Sequence, residues 1–194
     1  MTDRVLLPLR FDAERMRADV ARLSSSDWVD HFVPANYAGR WRIAPLRAPT
    51  GAEHPVMMIY SDPSCTSFSD TSILARCPYL QTALAAFRCE LDAVRLMALS
   101  PGSEIKEHRD HELSVEEGVA RLHVPVTTDP EVRFYLNGEV VSMRPGECWY
   151  LRLSDPHRVV NEGARDRVHL VIDARVNDWL RGLLQAAKRG AAGS

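Results

Sequence analysis

The segment EHRDHEL, residues 107–113, gathers His108, Asp110 and His111 within a few positions of one another. Imidazole nitrogens and a carboxylate oxygen are the donor set that a divalent transition metal favours. His108 and Asp110 are separated by one residue, so in an extended segment both side chains leave the same face and can grip one ion, while His111 points away. His157 follows 49 positions after His108, directly behind the Asp-Pro turn of SDPHRVVN. Two histidines and one carboxylate, brought from two places in a β-rich region, are the components of the facial triad that binds non-haem Fe(II) with coordination positions left open. Arg167 lies ten residues beyond His157. The segments HRVVN and RVHLVID, joined by EGARD, are expected to form a hairpin that sets His157, Val159, Asn161 and Arg167 on a common face. A planar fork of donors on the metal side suits the far carboxylate of a small dicarboxylic acid that chelates the metal at its other end. The plainer reading of Arg167, a surface ion pair with Asp166 or Glu162, weighs less because the neighbouring residues on that face look interior.

Strands must carry these residues, and the sequence from residue 93 onward supplies them. AVRLMAL, EIKEHRD, RLHVPVT, VRFYL, EVVSM, ECWYLRL, HRVVN and RVHLVID follow one another with turn signals between, the pattern of a sandwich or barrel. Asn137-Gly138 divides two of them with the strongest short hairpin signal available. In Arg121-Leu122-His123-Val124 and again in Arg167-Val168-His169-Leu170, polar and aliphatic residues alternate. Period two sends Arg121 with His123, and Arg167 with His169, to one face, which points to a polar-lined interior. Residues 11–23 and 78–87 have the spacing of amphipathic helices, and residues 177–188 place Leu180, Leu183, Leu184 and Ala187 on one stripe. RWRIAPLR (40–47) and VMMIY (56–60) read as further strands, with loops between them. Trp28, Trp41 and Trp179 are expected to anchor helices against the sheet, one of Trp149 and Tyr150 to pack in the core, and His31 and His54 to lie on the surface. Thr66 through Ser72 form a candidate loop over the barrel mouth.

Bulk properties narrow the partners. The 194 residues, 45% hydrophobic, suffice for one domain with a substantial core. Its expected parts are a support region at 1–92, a β core at 93–175 and a C-terminal helix at 176–189. With 24 Lys and Arg against 26 Asp and Glu, the chain has no general attraction for nucleic acid or an anionic membrane. Charges interrupt the apolar positions of the N-terminus, and nowhere do eighteen apolar residues run together, so neither a signal peptide nor a spanning helix is expected. Cys65, Cys77, Cys89 and Cys148 are widely spaced with no CxxC pair, which fits reduced, mostly buried thiols in a cytoplasmic protein.

PGSEIKEHRD, RLHVPV, GECWYLRLSDPHRVVN and DRVHLVIDARVNDWL together resemble the aspartyl/asparaginyl β-hydroxylases, a family of Fe(II)/2-oxoglutarate dioxygenases that extends to bacterial proline hydroxylases. The likeness covers roughly residues 93–180 and continues more weakly upstream in GRWRIAPLR and CPYL. The resemblance implies a mainly β fold with flanking helices, a double-stranded β-helix or cupin-like jelly roll. It implies Fe(II) held by His108 and His157, with 2-oxoglutarate and dioxygen as co-reactants; the carboxylate of Asp110 is this chain's own addition, expected to complete the triad. By position it implies Arg167 at the far carboxylate of 2-oxoglutarate and Arg121 with His123 at its C1 end. Animal members carry glycine where this chain has Asp110, and the family's serine that helps bind 2-oxoglutarate falls at Met97, whose thioether cannot donate a hydrogen bond.

The expected function is therefore hydroxylation of an unactivated C–H bond of an amino acid, free or within a peptide. Arg109 and His111, flanking the triad, are candidates for a substrate carboxylate. The competing class is a cupin-like metal-binding or sensor protein, or a zinc hydrolase. A hydrolase wants a general base beside its metal-bound water and has little use for an interior arginine.

Overall fold

The computed structural model describes residues 3–60, 65–110 and 113–192. The support region runs through β1 (Arg4–Arg10), α1 (Ala13–Val20), β2 (Val29–Asp30), β3 (Tyr37–Ala38), β4 (Trp41–Pro49), α2 (Pro55–Ile59), β5 (Phe68–Asp70), α3 (Ser72–Ala75) and α4 (Pro78–Leu84). Then follow β6 (Leu91–Leu99), β7 (Ser103–His108), β8 (Val119–Thr127), β9 (Val132–Leu136), β10 (Glu139–Val140), β11 (Glu147–Leu151), β12 (His157–Asn161) and β13 (Arg167–Arg175), and α5 (Asp178–Ala192) closes the chain.

The strands from β6 onward divide between two antiparallel sheets. One has the order β11-β8-β13-β6 at its centre and the other the order β10-β9-β12-β7. This is the winding of a double-stranded β-helix, the jelly-roll class expected from the sequence. The support region widens both sheets: β1 pairs with β11, β4 with β6, β2 and β5 with β4, and β3 with β7. At the predicted hairpin, Asn137 and Gly138 adopt φ of 53° and 80° between the paired residues Leu136 and Glu139. Positive φ at both central positions gives the turn that matches strand twist.

Alternation assigns the two faces of the larger sheet. Leu122, Val124, Val168, Leu170 and Ile172 join one apolar cluster with Met16, Leu80, Leu180 and Leu184, under the helices. Each full burial of such a side chain is worth about 1.5–3 kcal/mol. The second cluster, with Leu99, Ile105, Phe134, Leu136 and Val159, lies between the sheets. Arg121, His123, Arg167 and His169 are all buried on that inner side, so their strand faces are interior and not solvated. Buried Asp19 of α1 accepts from the backbone N–H groups of Tyr79 and Leu80, tying α1 to the otherwise uncapped start of α4. Of the tryptophans, Trp179 of α5 packs edge-on to Phe87 and Trp28 joins the helix-side cluster.

Three local readings are corrected. VMMIY lies largely in a helix, α2, because Pro55 suits a first helical turn and His54 Nδ1 accepts from the Val56 N–H at 3.3 Å. Its run of apolar residues shows no alternation to separate strand from helix. Residues 4–10 form an edge strand that the sequence reading passed over, with a register shift between Leu7 and Arg10 around Pro8. Finally, HRVVN and RVHLVID do not pair. β12 binds β7 and β9 while β13 binds β6 and β8, so residues 162–166 turn a corner from one sheet to the other.

Candidate metal centre

β7 and β12 lie side by side with His108 and His157 directly opposite each other. Side chains of opposed residues share a face, so both imidazoles enter the space between the sheets. His108 Nδ1 is 2.7 Å from the Lys106 carbonyl and His157 Nδ1 is 3.1 Å from the Asp155 carbonyl. A carbonyl accepts only, so each ring carries a proton on Nδ1 and turns Nε2, the nitrogen a metal would take, toward Asp110. Past the end of β7, the Asp110 N–H donates to the Leu153 carbonyl at 2.8 Å. That bond holds the Asp110 carboxylate 3.6 Å from His108 Nε2 and 3.9 Å from His157 Nε2. The three candidate donor atoms lie within 4.8 Å of one another. Burial pulls the pKa of His157 down to about 4, against the opposing pull of Asp110, so this imidazole is neutral and available at pH 7. Two imidazoles and one carboxylate are a donor set that fits Fe(II).

Around this cluster is a cavity of about 190 Å³. Among the residues lining it are the three candidate ligands together with Arg95, Arg121, His123, Phe134, Val159 and Arg167. Arg121 donates to both oxygens of Asp173 at 2.6 and 2.8 Å and through Nη1 to Asp110 Oδ2 at 2.8 Å. Arg95 reaches Asp173 from the other side at 3.0 Å. The buried charges of Arg95 and Arg121 are thus met by Asp173 and Asp110.

Arg167 is different. It is 2% exposed, its Nη2 donates to His169 Nδ1 at 2.8 Å, and its Nε is buried with no hydrogen-bond partner among the described residues. Burial pulls its pKa down to about 9, and the face of the Phe134 ring lies 5.8 Å from it. The surface-pair reading fails, because Asp166 pairs with Arg42 and Glu162 with Arg133. A buried guanidinium without a counter-anion is a receptor for one. Because Arg167 claims His169 Nδ1, the contact of 3.3 Å from His123 Nδ1 to that same nitrogen makes His123 the donor. His123 Nε2 is then a bare lone pair, buried and without a partner among the described residues.

The other expected residues fall as follows. Arg109 is exposed and donates to the Ser154 carbonyl at 3.2 Å, outside the residues that line the cavity. His111 lies outside the described residues. Among the described residues, Thr66–Ser72 do not border the cavity; Phe68–Asp70 pair with β4 at the sheet edge instead. Its mouth is bordered by His31, Phe32, Ile59 and Tyr60. His31 is therefore no ordinary surface residue: its ring stacks on Trp41 at 3.9 Å, and burial holds its pKa at about 4. Trp41, expected against a helix, lines the cavity.

Arg95 and Asp173 were missed, although the alternations Arg95-x-Met97 and His169-x-Val171-x-Asp173 place them on the inner face by the same rule as Arg121. His31 and Trp41 left no such signal, since only tertiary packing brings them to the metal cluster.

The fold and cluster together define a jelly roll with a two-histidine, one-carboxylate centre. The profile of the family described as Aspartyl/Asparaginyl beta-hydroxylase matches residues 10–176, and the chain belongs to that family. It is 25% identical over 177 residues to the L-proline cis-4-hydroxylase of Rhizobium meliloti (strain 1021), covering 89% of this chain and 61% of that protein. It is 27% identical over 179 residues to an L-proline cis-3-hydroxylase 2 of Streptomyces sp., covering 89% and 60%. The chain thus spans about three-fifths of the length of these relatives. In three dimensions it resembles an oxidoreductase of the 2OG-Fe(II) oxygenase family from Burkholderia pseudomallei, with a TM-score of 0.53 and 15% identity over 89% of this chain and 85% of that one. No helix among the described residues is long and apolar enough to cross a membrane.

Proposed function

We propose that the chain is an Fe(II)/2-oxoglutarate-dependent dioxygenase that hydroxylates an unactivated C–H bond of a small amino acid. The observation that carries this reading is one cavity with a metal-competent His108, Asp110, His157 cluster and the buried, anion-seeking Arg167. Iron bound there, with 2-oxoglutarate and dioxygen, supplies the oxidising chemistry. The protein's own residues bind and shield. His108 and His157, with protons fixed on Nδ1, and Asp110, fixed by Arg121, hold the metal. Arg167 takes the far carboxylate, which sets the diacid's length between two anchors. Arg121 serves the C1 end through its charge and its hold on Asp110, while His123 offers a lone pair there and not a donor. Phe134, Val159 and Leu153 keep bulk water from the interior.

The hydroxylase names of the relatives support a free amino acid over a peptide as substrate. His31, Phe32 and Tyr60 are its candidate walls. Reduced iron and four free cysteines suit a reducing compartment such as the cytoplasm. A zinc hydrolase or a metal-binding sensor would have no use for an uncompensated cation in the same cavity. The test is succinate release from 2-oxoglutarate with Fe(II), ascorbate and oxygen, screened over free amino acids. Tight retention of zinc, with no succinate from any of them, would favour the hydrolase or sensor.

A further inference from the structure

The roll has a cavity at each end. β9 and β12 pair with Leu136 opposite His157 at the end of the candidate metal centre and Val132 opposite Asn161 at the other. At that other end lies a second chamber of about 400 Å³, and Phe134 and Arg167 form the partition it shares with the metal cavity. Small-molecule sites commonly enclose about 300–1,000 Å³ behind largely apolar walls with a few placed polar groups. Val132, Phe134, Val141 and Met143 supply such walls, and Val140, which also lines the chamber, is 47% exposed.

The polar group at its buried side is His169, 2% exposed, which lines this chamber and not the metal cavity. Arg167 Nη2 at 2.8 Å and His123 Nδ1 at 3.3 Å both approach His169 Nδ1. That nitrogen is the acceptor, so the ring proton is on Nε2, and nothing among the described residues accepts it. Buried donors are normally satisfied. The chamber also carries unmatched positive charge. Arg133 is met by Glu162, and Asp129 is turned back to accept from the Glu131 N–H at 3.2 Å. Arg144 bonds through its backbone, its N–H donating to Glu147 Oε2 at 2.9 Å, while its exposed guanidinium forms no ion pair among the described residues.

We propose that this chamber is a second ligand site, which takes a small organic carboxylate with an apolar body, its oxygens accepting from His169 Nε2–H in the field of Arg144 and Arg167. An inorganic anion would leave the apolar walls unused, and a neutral apolar ligand would leave the histidine donor unpaired. The site lies at the opposite end from the metal cluster and stands whether or not the dioxygenase reading does.

The test is calorimetric titration of the Mn(II)-loaded protein with benzoate and with benzyl alcohol, which keeps the ring and lacks the charge. Benzoate is expected to bind the wild type, with benzyl alcohol weaker by about 10-fold or more. Arg144→Ala is expected to weaken benzoate about 10-fold or more, and Ser142→Glu, which sets a carboxylate on the chamber wall, to abolish its binding. Arg88→Ala removes one exposed charge outside the chamber and should bind benzoate as the wild type does. No binding of benzoate by the wild type, or equal affinity in the wild type, Arg144→Ala and Ser142→Glu, overturns the proposal. The nitrogen NMR resonance of His169 Nε2 in the wild type gives a readout free of any substitution. A shift with benzoate and none with benzyl alcohol supports the assignment; no shift, or equal shifts, overturns it.

Discussion

Arg121 Nη1 lies 2.8 Å from Asp110 Oδ2, and the rest of the same guanidinium is forked onto Asp173. Asp173 thus acts on the candidate metal-binding carboxylate at one remove: it fixes Arg121, and Arg121 fixes Asp110. Outer partners of this kind typically tune metal affinity by about 10–100-fold. Asp173→Asn is expected to weaken Mn(II) binding within that range. In an Asp110→Ala background the same substitution should have little further effect, since the path runs through Asp110. Additive losses in calorimetric titrations would show that Asp173 acts elsewhere.

Asp173 also gives the fold an acid limit. Burial alone would raise its pKa, but Arg121 and Arg95 overcome that and hold it at about 2. The folded value lies below the ordinary one, so this stabilisation is complete above pH about 4 and is lost as pH falls toward 2. Its size is about 2 kcal/mol. Urea unfolding of the wild type should therefore weaken across that window, and Asp173→Asn should show a shallower dependence from a lower starting stability.

Arg167 holds its position at the expense of stability. With burial pulling its pKa to about 9 and Nε unpaired, Arg167→Met should raise the melting temperature of the ligand-free protein. Replacement of buried charge by a packed apolar chain often gains about 1–4 kcal/mol. The same variant should lose the thermal stabilisation that the proposed function expects 2-oxoglutarate to give the metal-loaded wild type. A variant that melts lower, yet still responds to the diacid, would contradict both expectations.

The thiols divide sharply. Burial pushes Cys77 and Cys89 up to about 11 and Cys148 up to about 12, so almost none of their thiolate exists at pH 7.5. Iodoacetamide on the native protein should label Cys65 alone, with the others appearing only in denaturant. Peptide mass mapping reads this directly, and rapid native labelling of Cys148 would show the sheet interior to be open.

Much of the centre was legible because strand alternation is local. His108 and Asp110, Arg121 and His123, and Arg167 and His169 each declare a shared face within three residues, and the structure turns all these faces inward. What alternation cannot report is which strands become neighbours. A short link between two strands reads as a hairpin, yet residues 162–166 cross between sheets, because β12 finds its partners in β7 and β9. The aromatic wall was invisible for a related reason: His31 and Trp41 meet only because the His31 N–H bonds the Trp41 carbonyl at 2.8 Å. VMMIY misled because an apolar run of five has no readable period.

The corner at residues 162–166 has a mechanical meaning. It delivers His157 to one sheet and Arg167 to the other, so on the proposed function a diacid gripped at both ends would act as a clasp between the two leaves of the roll. Occupancy then restrains their breathing, and amide exchange along β12 and β13 should slow in concert when the clasp is fastened.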